Sequence, residues 1–188
     1  FGVPPTLFPV PGLPRYTEKN RMITMYKLLP HHTTQHTEVT LLMAKTIVLS
    51  NQKGGVGKTT TANALALIFR ERGYKVLAVD LDPQGNLSFS TGADTDGTAT
   101  IYEVLKEEVK PRFAIQKTGL VDIIPSNILL SSIELEFTGT QREYLLRRAL
   151  EPLQQVYDYI FIDSPPALGI LTVNAFTASD FVLVPMMS

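Results

Sequence analysis

The residues best equipped for chemistry in this chain form one run, Lys53-Gly54-Gly55-Val56-Gly57-Lys58-Thr59-Thr60. Its glycines let several backbone N–H groups turn inward onto one anion without Cβ clashes. Lys58 adds a mobile point charge suited to the β- and γ-phosphates of a nucleotide, and the Thr59 hydroxyl is a natural Mg²⁺ ligand. An apolar segment, Thr46-Ile47-Val48-Leu49, precedes the run, and a helix-like segment from Ala62 to Arg72, closed by Gly73, follows it. Strand, glycine loop, Lys-Thr pair and helix in that order describe a phosphate-binding loop, with the positive end of the helix dipole aimed at the anion. The strict pattern requires glycine where this chain has Gln52, and a second lysine, Lys53, stands inside the loop.

Two carboxylate sites follow. Asp80-Leu81-Asp82-Pro83-Gln84-Gly85-Asn86 comes directly after the apolar stretch Lys75–Val79. Aspartates at the C-terminal end of a parallel strand lie where α/β sheets place their ligands. Alternate residues of an extended strand point the same way, so Asp80 and Asp82 are expected to face one site. Either aspartate alone is better explained as a turn or cap residue; the phosphate loop one βα unit earlier favours the ligand role. The second site is Tyr157-Asp158-Tyr159-Ile160-Phe161-Ile162-Asp163, a buried strand that ends by delivering one carboxylate to a Mg²⁺ water shell.

The elements that must position these residues alternate strand and helix. Apolar strands are expected at about 46–50, 75–80, 120–125, 157–163 and 180–185, without alternation, as in a parallel sheet buried on both faces. Helices are expected at 58–72, with Ala62, Leu65, Ile68 and Phe69 inward, and at 100–105. Further helices are expected at 127–137, with Ile128, Leu129, Ile133 and Leu135 inward, at 141–155, with Leu145, Leu146, Leu150 and Leu153 inward, and at 171–178. The fold class is therefore α/β, a mostly parallel sheet flanked by helices on both faces.

With 188 residues there is room for one domain with a sizeable core. Net charge is −1, so no global basic field marks the chain as a nucleic-acid binder. It has no cysteine, which excludes disulfides, thiolate metal sites and cysteine nucleophiles. No apolar run is long enough to span a bilayer.

The run Lys53 to Thr59, with Asn51-Gln52 before it and Thr60-Thr61 after it, resembles the deviant Walker A motif of the ParA/MinD superfamily, and most closely its ParA/Soj branch. Asp80 to Asn86, the stretch from Ile123 to Phe137, and Asp163-Ser164-Pro165-Pro166 also resemble that branch. The resemblance implies ATP and Mg²⁺ as ligands, with residues 53–60 around the nucleotide. It implies that Asp82 orients the attacking water, and that Thr59, Asp80 and Asp163 serve the metal, partly through water. It further implies an ATP-dependent homodimer in which Lys53 crosses to the partner's phosphates, a ParB-type partner protein and nonspecific DNA in the intact protein. The resemblance implies, finally, a cytoplasmic, nucleoid-associated setting with no membrane, and a role in chromosome or plasmid segregation.

Residues 1–42 carry six prolines and all three histidines, and are expected to be a disordered or non-native extension ahead of Met43. Residues 43–188 are expected to be the N-terminal part of the ATPase domain, truncated at the C-terminus. In the family, adenine contacts and the basic DNA surface lie beyond the point matching Ser188. A MinD-like membrane-cycling ATPase, an inactive truncated fragment and a dinucleotide-binding oxidoreductase are the alternatives. The last is disfavoured because its third glycine would fall on Thr60 and Lys58-Thr59 would have no job.

Overall fold

The computed structural model describes residues 43–137 and 139–186; the expectations for residues 1–42 lie outside the described residues. In chain order the elements are β1 (Lys45–Leu49), α1 (Lys58–Glu71), β2 (Val76–Asp80), α2 (Asn86–Thr91), α3 (Ile101–Leu105), α4 (Pro111–Ala114), β3 (Gln116–Lys117) and β4 (Asp122–Ile124). Then come α5 (Ile133–Glu136), α6 (Leu145–Leu150), β5 (Tyr159–Asp163), α7 (Ile170–Ala178) and β6 (Phe181–Leu183). One sheet runs β3-β4-β2-β5-β1-β6, parallel at every pairing except β3 with β4.

The unbroken apolar strands are buried on both faces, as the sequence requires. Every residue of β2 is buried. Alternate residues feed two separate cores. Val48, Leu77, Val79, Ile160 and Ile162 point to one face, where Leu146 and Leu150 of α6 and Leu171 and Ala175 of α7 cover them. Leu49, Val76, Ala78 and Phe161 point to the other, against Ala62 and Ala66 of α1 and Leu87 of α2. The register Leu49↔Asp163 and Asp80↔Asp163 brings the C-terminal ends of β1, β5 and β2 to one level.

Three expectations about packing are corrected. On α1, Ile68 is 42% exposed, while Ala62 and Ala66 are fully buried. Ile68 lies about 120° around the helix from Ala62, on the flank of the stripe. The stretch 127–137 is a 3₁₀ turn, Ile128–Ser132, followed by α5, not one helix. Ile128, Leu129 and Leu135 are exposed and only Leu130 and Ile133 reach the core, because a 3₁₀ turn rotates side chains faster than an α-helix does. The stretch 141–155 is likewise divided into a 3₁₀ turn, α6 and a second 3₁₀ turn at Glu151–Leu153, where Pro152 cannot donate a backbone hydrogen bond. The apolar strand expected at 180–185 forms as β6; among the described strands it pairs only with β1, and Val182 is 53% exposed.

The small residues of α1 set how closely the helix approaches the sheet. Replacing Ala66 by Leu should therefore destabilise the protein by roughly 1–3 kcal/mol through overpacking, whereas Ile68→Ala should cost under about 1 kcal/mol because the side chain is half in solvent. Urea unfolding of the two variants checks the contrast, and equal losses would contradict the packing described.

Candidate active site

The chain leaves β1 into a loop whose backbone only glycine adopts without strain. Gly55 and Gly57 have φ of 73° and 84°, the left-handed region that costs other residues energy. An added Cβ would meet nothing within 4 Å at either position, so the demand is conformational. Gly57 is the N-cap of α1 and supplies no side-chain acceptor, so no cap shields the first-turn N–H groups from an anion. Lys58 is buried and bends back over the loop, its Nζ donating to the Lys53 carbonyl at 3.5 Å. Val56 is buried as well, so only its backbone can face a ligand, whereas Lys53, Gly54 and Thr60 are exposed. Asn51 braces the loop: its Oδ1 accepts the Lys53 N–H at 2.9 Å and its Nδ2 donates to the Pro185 carbonyl at 2.8 Å.

Asp80 and Asp163 end adjacent strands in register, and both are buried. Their surroundings differ. Asp80 Oδ2 accepts the Ser88 N–H and hydroxyl at 2.8 and 2.7 Å, and its Oδ1 accepts the Asp82 N–H at 3.1 Å. Burial pushes its carboxyl up to about 6 against the pull of these donors. Neither oxygen of Asp163 has a hydrogen-bond partner of normal geometry. Burial is the main reason its carboxyl is pushed up to about 7; the Thr59 hydroxyl approaches closely enough to oppose this, as does the Lys58 charge, and the charges of Asp80 and Asp82 add to it. A buried carboxylate with no hydrogen bond of normal geometry, beside a hydroxyl and a lysine, is a group that a cation would satisfy.

Asp82 departs from the expected alternation. It lies beyond the end of β2, is only partly buried, and its Oδ1 accepts the Gln84 N–H at 3.0 Å in a turn of its own. Its charge still acts on both buried carboxylates. Asp80, Asp82, Asp163, Lys58 and Thr59 are thus brought together from three elements. In the sequence Ser88 had no assigned role, and Ser126 and Ser164 stood only as members of longer motif-like runs. Ser126 donates its N–H to Ser88 Oγ at 2.9 Å, and Ser164 Oγ donates to the Leu49 carbonyl at 2.8 Å, tying β5 to β1 at the loop.

Among the described residues no three His, Cys, Asp or Glu side chains cluster to hold a metal by themselves. This suits Mg²⁺, which commonly takes one or two protein ligands and completes its shell with water and phosphate oxygens. A concavity of about 410 Å³, lined by Arg70, Tyr74, Lys75 and Tyr157 among others, sits by the N-terminal ends of β2 and β5, away from these groups.

The two raised carboxyls give ligand-free stability a defined pH dependence. Asp80 and Asp163 bind protons more tightly folded, near 6 and 7, than their ordinary value of 3.8. The folded state therefore holds more protons than the unfolded state between about pH 4 and 7, and stability falls as pH rises through that window. The melting temperature of ligand-free protein should decline across it and level off above, and Asp163→Asn should flatten the decline and melt higher at pH 8. A melting curve in which Asp163→Asn tracks the parent at every pH would contradict the burial argument.

A family model described as an AAA domain matches residues 44–188. The chain is 45% identical over 148 residues to the sporulation initiation inhibitor protein Soj of Bacillus subtilis, covering 77% of this chain and 58% of that protein. It is 44% identical to the chromosome partitioning protein ParA of Myxococcus xanthus, covering 77% and 52%. A solved structure of cobyrinic acid a,c-diamide synthase from Mycobacterium smegmatis, with bound ATP analog and magnesium, superposes with a TM-score of 0.74 at 42% identity, covering 76% and 60%. The chain spans somewhat over half the length of these relatives. With the glycine loop, the paired strand-end aspartates and this likeness in agreement, the chain belongs to the AAA-domain family.

Proposed function

We propose that this chain carries the nucleotide site of a partition ATPase that binds and hydrolyses MgATP, acting as an ATP-dependent dimer in chromosome or plasmid segregation. The observation that carries the reading is Asp163, a buried carboxylate with no hydrogen bond of normal geometry, held beside Lys58 and Thr59 at the mouth of a glycine loop. Mg²⁺ would neutralise charge on the β- and γ-phosphate oxygens. The chain's own residues do the rest. The backbone of residues 53–60 cradles the phosphates, Lys58 holds the β/γ end, and Thr59 and Asp163 are the metal-side groups. Asp80, whose oxygens already accept three hydrogen bonds, supports them from behind. Asp82, partly exposed on its turn, is the group free to orient a water.

Lys53 is exposed on the loop, a position suited to reaching a second subunit's phosphates. A second copy, a ParB-type protein and nonspecific DNA are the partners we propose for the whole protein, in a cytoplasmic, nucleoid-associated setting. Among the described residues no helix is long and apolar enough to cross a membrane. The names of the relatives do not favour the MinD-like alternative. The synthase's name on the same fold supports a second reading, ATP-driven amide synthesis, since a fold does not fix a reaction. Stimulation of ATP turnover by DNA and a partner protein, as opposed to a carboxylic acid substrate with an amine donor, separates the two.

Lys58→Ala should weaken MgATP binding by about 10- to 100-fold, the worth of a buried charge-assisted contact; fluorescent-nucleotide titration reads this, and unchanged affinity would remove the phosphate-loop assignment. Lys53→Ala and Asp82→Ala should leave that affinity within about threefold and slow turnover, since phosphoryl transfer depends on positioning and charge placement more than on ground-state binding. They should differ in sedimentation with ATP: Lys53→Ala stays monomeric, while Asp82→Ala accumulates as dimer. A Lys53→Ala protein that dimerises and hydrolyses normally would refute the cross-subunit role.

A further inference from the structure

Ser88 is the third residue of α2 and is fully buried. Its N–H and its hydroxyl both donate to Asp80 Oδ2, and the same hydroxyl oxygen accepts the Ser126 N–H. Asp80 Oδ1 meanwhile takes the Asp82 N–H. One carboxylate therefore grips both ends of the turn from Asp82 to Ser88, and one hydroxyl extends that grip to the segment following β4. The approach is close at the turn's middle too: a Cβ on Gly85 would stand 3.3 Å from the Ser126 carbonyl oxygen, and Gly85 has a φ of 64°. Ser126 takes part through its backbone alone, for its own hydroxyl has no hydrogen-bond partner.

A serine that merely satisfied a buried carboxylate could have stood anywhere around it. Ser88 instead joins three separate pieces of chain, the end of β2, the first turn of α2 and the exit of β4. The piece between them is the turn that bears Asp82. We propose that Ser88 is a positioning residue for nucleotide hydrolysis: its hydroxyl latches the Asp82 turn to Asp80 and to the exit of β4, so that the Asp82 carboxylate keeps one position toward the attacking water. This rests on the hydrolysis reading and adds to it a residue that touches neither nucleotide nor metal. Without the hydroxyl the Ser126 N–H has no acceptor, and the far end of the turn is held by the Ser88 N–H alone.

The test compares Ser88→Ala with Ser90→Ala, an exposed hydroxyl on the same helix that donates within it to the Leu87 carbonyl. Amide hydrogen exchange on the full chain without nucleotide reads the latch. Ser88→Ala should speed exchange at Ser126 and across residues 82–88 by about three- to tenfold, as expected for one lost buried hydrogen bond, with β1 and β5 unchanged and Ser90→Ala like the parent. Unchanged exchange in Ser88→Ala overturns the latch. In steady-state hydrolysis, Ser88→Ala should lower kcat by about 10- to 100-fold, the usual effect of removing a supporting partner, with KM within about threefold. Added to Asp82→Ala it should lower kcat no further, because both substitutions act through one group. Independent, multiplying losses, or a raised KM with kcat kept, overturn the positioning role. Should Ser88→Ala not fold, Ser88→Cys keeps the shape with a far weaker donor and carries the same readouts. A parent chain that turns over no ATP overturns the hydrolysis reading and the positioning role with it, while exchange still decides whether the latch exists.

Discussion

Two carboxylates buried side by side govern the top of this sheet. Asp80 and Asp163 end neighbouring parallel strands in register, both shut off from solvent. An ionised carboxylate taken out of water costs several kcal/mol unless its oxygens are satisfied. The fold meets that demand for Asp80 with donors drawn from Asp82 and Ser88. It gives Asp163 no hydrogen bond of normal geometry, with the nearby Thr59 hydroxyl and the Lys58 charge as partial compensation. An apolar residue would serve the core better at that position. A perturbed, partner-poor acid at the C-terminal end of a strand signals a site awaiting a cation.

The packing beneath explains why the phosphate loop meets these acids. Ala62 and Ala66 are small and fully buried, so α1 lies close against the face formed by Leu49, Ala78 and Phe161. Close contact along α1 fixes where its first turn stands relative to β1 and β5. The left-handed Gly57 then turns the chain into the helix without supplying a cap of its own. Backbone N–H groups, the Lys58 ammonium and the Asp163 carboxylate converge there, a combination suited to a phosphate chain carrying a divalent cation.

Asp80 and Asp82 stand two residues apart and live in different environments. The first is sealed in and hydrogen-bonded; the second is partly solvated on a turn. Environment separates the roles of paired carboxylates. Here it makes Asp80 the support of the turn and leaves Asp82 as the solvent-facing charge within it.

Much of this was legible in the sequence. The unbroken apolar runs set the parallel sheet, because only strands buried on both faces dispense with alternation. The order strand, glycine loop, Lys58-Thr59, helix set the anion site, because those residue types are demanded by backbone geometry and charge at fixed spacing. Asp163 was visible as the end of a buried strand. What the sequence did not hold was anything that depends on distance across the fold. Ser88 meets Ser126 across 38 positions and Ser164 meets Leu49 across 115, contacts with no local signature. Ile68, Ile128 and Leu135 look like core residues by type, and only the packing of α1 and the 3₁₀ geometry after Asn127 put them outside. That Asp80 accepts three hydrogen bonds while Asp163 accepts none of normal geometry was likewise decided by the folded chain, because the turn after β2 bends back so that Asp82 and Ser88 donate to Asp80 and no such turn returns to Asp163.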